Sequence, residues 1–216
     1  MTEIGRALLV ANAPLRWHPR LASMAASAQP LLAADGGANH LAWLGLRPAA
    51  VVGDLDSVSP DIRAWLGEDC MVDRPDQDRT DLDKALEYAF DELGIKNLTV
   101  LAALGGRTDH DLGNLGLLAR LAMGERLIFE RPDETVLAVA SEILLAAIPG
   151  ETWSFWTFDP AVRVTVEGVR WPLANASIAA GTRPSISNEA VGNHVEISAR
   201  GGSVIVMRRF CDPSGR

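Results

Sequence analysis

The chain has 216 residues, 48% hydrophobic and 22% charged, the make-up of a globular protein with one large or two modest domains rather than a disordered or fibrous chain. Its 28 Asp and Glu against 20 Lys and Arg give a net charge of -8, the wrong sign for wrapping a nucleic-acid backbone, so an anionic ligand needs a metal ion or a local basic group. Cys70 and Cys211 are far apart and outside any CxxC spacing, which points to neither a disulfide framework nor a zinc site.

In the N-terminal MTEIGRALLVANAP the apolar stretch is only ALLVA, too short for a signal sequence and far below the ~20 residues of a membrane span. A cytoplasmic protein with no membrane partner is expected. Short apolar runs then alternate with helical patterns, the signature of a parallel sheet with crossover helices. Strands are predicted at 7–11, 31–34, 49–52, 70–72, 98–104 and 126–129. The clearest helix is predicted over 81–93, where Leu82, Ala85, Leu86, Ala89, Phe90 and Leu93 repeat at helical period, Thr80 can cap the start and Gly94 can end it.

After about residue 135 the pattern changes to short alternating segments, such as 162–166, 194–198 and 203–207, separated by Gly, Pro and Asn turns. The fold class expected is therefore α/β plus all-β, with a Rossmann-like parallel sheet and helices over residues 1–135 and a β-sandwich domain over 136–216. The acidity belongs to the first part: residues 1–130 hold 19 acidic and 12 basic side chains, residues 131–216 hold 9 and 8. The β domain carries Trp153, Trp156 and Trp171, which either fill its own core or are covered by a second copy of the chain.

Chemistry enters where the predicted strands stop. One run ends in Asp35-Gly-Gly-Ala38, the next in Gly53-Asp-Leu-Asp-Ser57, a third leads to Asp76-Gln-Asp-Arg-Thr-Asp81, and a fourth ends in Gly105-Gly-Arg-Thr-Asp-His110. In open α/β sheets the ligand crevice lies at the carboxyl ends of the strands, so these loops should converge. Two carboxylates ~4 Å apart repel by about 4 kcal/mol at an effective dielectric near 20, and several such pairs call for a cation. All the candidate ligands are oxygens, a hard set that suits magnesium, which usually shares its shell with substrate phosphates. Asp54 and Asp56, two apart on an extended loop, are expected to point the same way and to form the metal pair. Gly36, Gly37, Gly105 and Gly106 let backbone approach a ligand closely, yet neither a Walker loop nor a dinucleotide fingerprint is present.

The ordered motifs Ala34-Asp-Gly-Gly-Ala38, Gly53-Asp-Leu-Asp-Ser57, Asp76-Gln-Asp-Arg-Thr-Asp-Leu-Asp-Lys-Ala-Leu86 and Gly105-Gly-Arg-Thr-Asp-His-Asp-Leu-Gly-Asn114 resemble those of the thiamine pyrophosphokinases. Ser185-Ile-Ser-Asn-Glu189, after Gly168-Val-Arg-Trp-Pro-Leu173, is similar to the signature of that family's C-terminal β domain. The first loop departs from it, since Ala11-Asn-Ala-Pro14 lacks the Gly-Gly found after the first strand of many bacterial relatives.

The resemblance implies transfer of diphosphate from ATP to the hydroxyl of thiamine, giving AMP and thiamine diphosphate, in a homodimer with sites between subunits. It implies Mg2+ on Asp54, Asp56 and Asp81, and Asp35, Asp81 and Asp109 around metal, phosphates and attacking hydroxyl. Substrate contacts are implied for Gly36, Gly37, Gln77, Asp78, Thr80, Arg107, His110 and Asn114, and for Trp171, Ser185, Ser187 and Asn188 of the β domain. Asp81, at the start of a rigid helix, is expected to be the base or orienter of the hydroxyl. Two other readings are a magnesium-dependent phosphotransferase acting on another small alcohol and a non-catalytic nucleotide or thiamine sensor.

Overall fold

The computed structural model of the chain describes residues 7–124 and 126–210; Cys211 lies outside them. Two compact units are formed, one from the described residues of Met1–Asn114 and Glu125–Pro132, the other from those of Leu115–Gly124 and Asp133–Arg216. The chain thus divides three residues before the boundary read from the sequence, and the segment after Asn114 groups with the second unit. Among the described residues no helix is long and apolar enough to cross a membrane.

In the first unit the elements are β1 (Leu8–Val10), α1 (Pro19–Ser27), β2 (Leu31–Ala34), α2 (Gly37–Trp43), β3 (Ala50–Gly53), α3 (Pro60–Leu66), β4 (Met71–Asp73), α4 (Asp81–Glu87), β5 (Asn97–Leu101), the start of α5 (Thr108–Leu121) and β6 (Arg126–Glu130). The strands are parallel in the order β6-β5-β1-β2-β3-β4, with Leu8 beside both Leu31 and Thr99. Leu9, Val10, Leu32, Ala33, Val51, Val52 and Val100 are fully buried, the continuous apolar run of strands covered on both faces. The order reverses at β1, between β2 and β5, and there the loops at the carboxyl ends of the strands part to leave a crevice.

Helix α4 follows the predicted pattern as far as Glu87 and then widens into a π turn over Tyr88–Glu92, closed by the Leu93 N–H to Tyr88 C=O bond at 3.1 Å. The wider turn rotates the chain off the 3.6-residue period, so Leu82 through Phe90 keep their buried face while Leu93 is left exposed. Helix α2 lies close against β1: a Cβ on Gly37 would stand 1.9 Å from the Val10 carbonyl oxygen. Backbone cannot yield as a side chain can. Gly37→Ala is expected to lower stability by about 3 kcal/mol, read from a denaturant melt.

The second unit contains the later part of α5 and the strands β7 (Glu134–Val139), β8 (Glu142–Ala146), β9 (Thr152–Trp156), β10 (Arg163–Glu167), β11 (Leu173–Ala176), β12 (Ser185–Glu189), β13 (His194–Arg200) and β14 (Val204–Arg209). Antiparallel strands run in the orders β12-β9-β14-β7 and β11-β10-β13-β8. Alternation puts Val164, Val166, Val195 and Ile197 inside and their neighbours toward solvent, the sandwich pattern read from the sequence. Of the three tryptophans, Trp153 is buried and stacks on Phe155, Trp156 is half-buried and Trp171 is exposed.

Candidate active site

Two strand ends and one helix start of the first unit meet. Asp35 follows β2, Asp54 follows β3, and Asp81 opens α4, where Thr80 caps the helix by accepting the Asp83 N–H at 3.3 Å. One carboxylate oxygen from each of Asp35, Asp54 and Asp81 lies within 4.8 Å of the others. Gly53 makes the approach possible, because a Cβ there would be 2.9 Å from Asp35 Cβ and 3.0 Å from Asp81 Oδ1. The backbone is bent to the same end: Asp35, Leu55 and Ala102, just past β2, β3 and β5, hold positive φ angles of 44°, 65° and 55°. Left-handed backbone at non-glycine residues is costly and collects at functional sites.

Each acid has a distinct environment. Asp35 is 1% exposed, and burial pushes its carboxyl above the usual carboxylate range despite hydrogen bonds from Ser57 and Gly36; the charge of Asp81 adds to the rise. Asp54 is held below that range, chiefly by the Asp56 N–H on its Oδ1 at 3.3 Å and also by the Gln77 amide on its Oδ2 at 3.3 Å. Asp81 Oδ1 accepts the Asp54 N–H at 3.4 Å and the Lys84 ammonium at 3.1 Å. Asp56 stands outside the group. Leu55, at positive φ, breaks the extended geometry that would aim Asp54 and Asp56 together, and Asp56 Oδ1 instead accepts from Ser57 Oγ at 2.9 Å.

Beside the acids is a cavity of about 620 Å³, walled by Asp35, Ser57, Thr80 and Asp81 on one side and by Gly105, Gly106, Arg107, His110, Asp111 and Asn114 on the other. The loop Asn12-Ala13-Pro14 forms part of its wall, and a Cβ on Gly36 would fall within 2.5 Å of the Asn12 amide, so this departing loop packs on the Asp35-Gly36-Gly37 turn. Asp111 fixes the glycine turn by accepting the N–H groups of Gly105 at 3.1 Å and Gly106 at 3.4 Å. Asn114 is buried and donates to the Ala103 carbonyl at 2.7 Å. Asp109 faces solvent, paired with Arg107 at 2.6 Å, and the guanidinium holds its carboxyl down to about 2. Asp78 is exposed, its N–H bonded to Asp76 Oδ1 at 2.9 Å in a local turn.

The β unit has a cavity of its own, about 620 Å³, lined by Trp171, Arg183, Ser185, Ser187 and Asn188 among others. Asn188 is 2% exposed: Nδ2 donates to the Trp171 carbonyl at 2.7 Å, while Oδ1 accepts the N–H groups of Trp171 at 3.1 Å and Glu189 at 2.9 Å. It holds the backbone of Trp171 at the wall of this cavity. Ser187 sits at φ 58° in the irregular stretch of β12, its N–H bonded to Ser154 Oγ at 3.0 Å. Asn188→Ala leaves the backbone polar groups of Trp171 unpaired, and a stability loss of about 1–3 kcal/mol in a denaturant melt is expected.

Lys84, Asp111, Ser57 and Asn12 were not singled out from the sequence. Lys84 had a signal, its position one turn after Asp81 on the predicted helix, and Asp111 had one in the second acid of Thr-Asp-His-Asp. Ser57 and Asn12 reach the site through backbone turns that no periodicity reports.

Carboxylates gathered without histidine or cysteine at the loop end of a parallel sheet, facing a glycine turn and an arginine, are the equipment of phosphoryl-transferring α/β enzymes, and that is the class these features define. Comparison with known proteins is more particular. Residues 21–129 match the family described as thiamin pyrophosphokinase, catalytic domain, and residues 142–204 match thiamin pyrophosphokinase, vitamin B1 binding domain. The chain belongs to the thiamin pyrophosphokinase family of enzymes, the one its motifs resemble.

Among similar proteins, thiamine pyrophosphokinase 3 of Oryza sativa subsp. japonica is 30% identical over 213 residues, covering 84% of this chain and 78% of the relative. The Bacillus subtilis thiamine pyrophosphokinase is 27% identical over 208 residues, covering 93% and 96%. The crystal structure of thiamine pyrophosphokinase from Bacillus subtilis superposes with a TM-score of 0.81 at 25% identity, over 94% of this chain and 98% of that one. Yeast thiamin pyrophosphokinase, at 19% identity and a TM-score of 0.82 over 98% and 88%, shares the fold.

Proposed function

We propose that the protein transfers diphosphate from ATP to the hydroxyl of thiamine, releasing AMP and thiamine diphosphate, with Mg2+ as its metal. The reading is carried by the gathering of Asp35, Asp54 and Asp81 oxygens within 4.8 Å at the wall of a nucleotide-sized cavity. The residues present fit the metal. Every donor in the group is a carboxylate oxygen, the hard ligand set that suits Mg2+. Asp54 and Asp81, the less buried two, would hold the ion, which supplies neutralisation of the triphosphate oxygens.

The chain's own groups do the rest. The thiamine hydroxyl oxygen attacks the β-phosphorus, the bond from that phosphorus to the α–β bridging oxygen breaks, and AMP leaves with the bridging oxygen. Asp81, on the cavity wall at the start of α4, orients the hydroxyl and takes its proton. Arg107 reaches the triphosphate by exchanging the Asp109 carboxylate for a phosphate oxygen, an inexpensive exchange because that pair is exposed. Asp111 keeps the Gly105-Gly106 turn in shape beneath it. Positioning and electrostatics of this kind carry most of the catalysis in phosphoryl transfer.

Thiamine is assigned to the β unit's cavity, where the exposed ring of Trp171 offers a face to its cationic thiazolium, worth about 0.5–2 kcal/mol. A homodimer in the cytoplasm, where ATP and Mg2+ are supplied, belongs to the same reading; a monomer by light scattering at micromolar concentration would remove the dimer. Incubation with ATP, Mg2+ and thiamine tests the reaction. AMP and thiamine diphosphate in equal amounts support it, ADP with a thiamine monophosphate points to transfer of one phosphoryl group, and no product leaves only binding.

A further inference from the structure

Lys84 lies one helical turn after Asp81 on α4 and is only 2% exposed. Burying an ammonium is costly unless it is paired, and a lysine on a helix ordinarily keeps its tip in water. Its Nζ donates to Asp81 Oδ1 at 3.1 Å, the same oxygen that receives the Asp54 N–H at 3.4 Å. Both donors grip one oxygen, which leaves Oδ2 as the oxygen of Asp81 able to act on whatever enters the site. Lys84 itself does not line the cavity. It therefore acts through the acids and not on a phosphate.

Its charge matters as much as its bond. At formal charge, the three carboxylates of Asp35, Asp54 and Asp81 and the Lys84 ammonium sum to two negative charges, the complement of one divalent cation. The field of Lys84 is also felt at Asp54, where it favours the ionised carboxylate.

We propose that Lys84 is a positioning residue: it pins Asp81 by Oδ1, so that Oδ2 is turned to the site with one lone pair for the ion and one for the substrate hydroxyl, and it offsets one carboxylate charge, so that the site balances one divalent ion. The inference rests on the metal-dependent transfer set out above.

The test compares the full-length protein with Lys84→Met and Lys84→Gln, after far-UV circular dichroism confirms folding. Two quantities are read: steady-state turnover with ATP, Mg2+ and thiamine, and Mn2+ binding to the nucleotide-free protein by electron paramagnetic resonance. Lys84→Met is expected to lower kcat by about a hundredfold with the thiamine KM changed by less than about threefold. Its Mn2+ affinity should rise about tenfold, because a positive charge beside the ion has gone. A purely structural lysine would not tighten metal binding. Lys84→Gln keeps a donor without the charge and should show the same tightened Mn2+ binding with a kcat above that of Lys84→Met. Should Lys84→Met fail to fold, Lys84→Gln carries the test by its Mn2+ affinity and its turnover against the parent. Turnover within about threefold of the parent in the folded variants, or Mn2+ affinity unchanged or weaker, overturns the proposal. Failure of the parent protein to bind Mn2+ or form AMP instead overturns the functional reading, so the two failures are told apart.

Discussion

Asp54→Ala is expected to fold as the parent does and to turn over at least about a thousandfold more slowly, a loss of ~4 kcal/mol of transition-state stabilisation. Asp54 is only partly buried, and its side chain is held by the Asp56 N–H and the exposed Gln77 amide rather than by the core. Removing it would take away a proposed metal ligand while relieving repulsion with Asp35 and Asp81. The metal-free variant should therefore melt no lower than the metal-free parent, whereas Mg2+ should raise the melting temperature of the parent and barely that of the variant. A variant with the parent's turnover and Mg2+ dependence would remove Asp54 from the metal site.

Asp81→Asn is the second large effect, and its signature differs. The amide keeps the shape but gives up the negative charge and the proton-accepting oxygen, so kcat should fall by about a hundred- to a thousandfold. Here stability falls as well, because the nearly buried Lys84 loses its carboxylate partner. Breaking a fully buried pair costs about 3–5 kcal/mol; Asp81 is a third exposed, so about 1–3 kcal/mol is expected. Activity loss without destabilisation in Asp54→Ala, against both losses together in Asp81→Asn, is a pattern that a general weakening of the fold would not produce. Stopped assays for AMP together with denaturant melts supply both readings, and an Asp81→Asn protein with full turnover would exclude the role.

The parallel sheet was legible because its strands β1, β2 and β3 are short, apolar and buried throughout, so each of these runs ends where the chain emerges at a polar loop. That is why Asp35, Asp54 and Asp81 could be grouped from residues far apart. What stayed hidden depends on backbone turns. The alternation argument for Asp54 and Asp56 assumes extended chain, and Leu55 at φ 65° breaks it; nothing in Gly-Asp-Leu-Asp-Ser marks the reversal. Lys84 escaped because a lysine beside an apolar helical face reads as a solvated stem, and only the fold shows its tip turned inward to a carboxylate. In helix α4 the sequence period continues through Leu93 while the backbone widens at Tyr88, so the last apolar position is exposed. The bonds of Asn188 to the backbone of Trp171 were equally hidden, because they join residues 17 apart across an irregular stretch of β12 that no alternation reports.

Anomalous scattering from a crystal soaked in Mn2+ and a non-hydrolysable ATP analogue tests directly whether acids from two strand ends and a helix start share one cation. A manganese peak is expected at bonding distance from carboxylate oxygens of Asp54 and Asp81, with phosphate oxygens completing the shell. A peak elsewhere, or nucleotide bound with no manganese at these carboxylates, would contradict it.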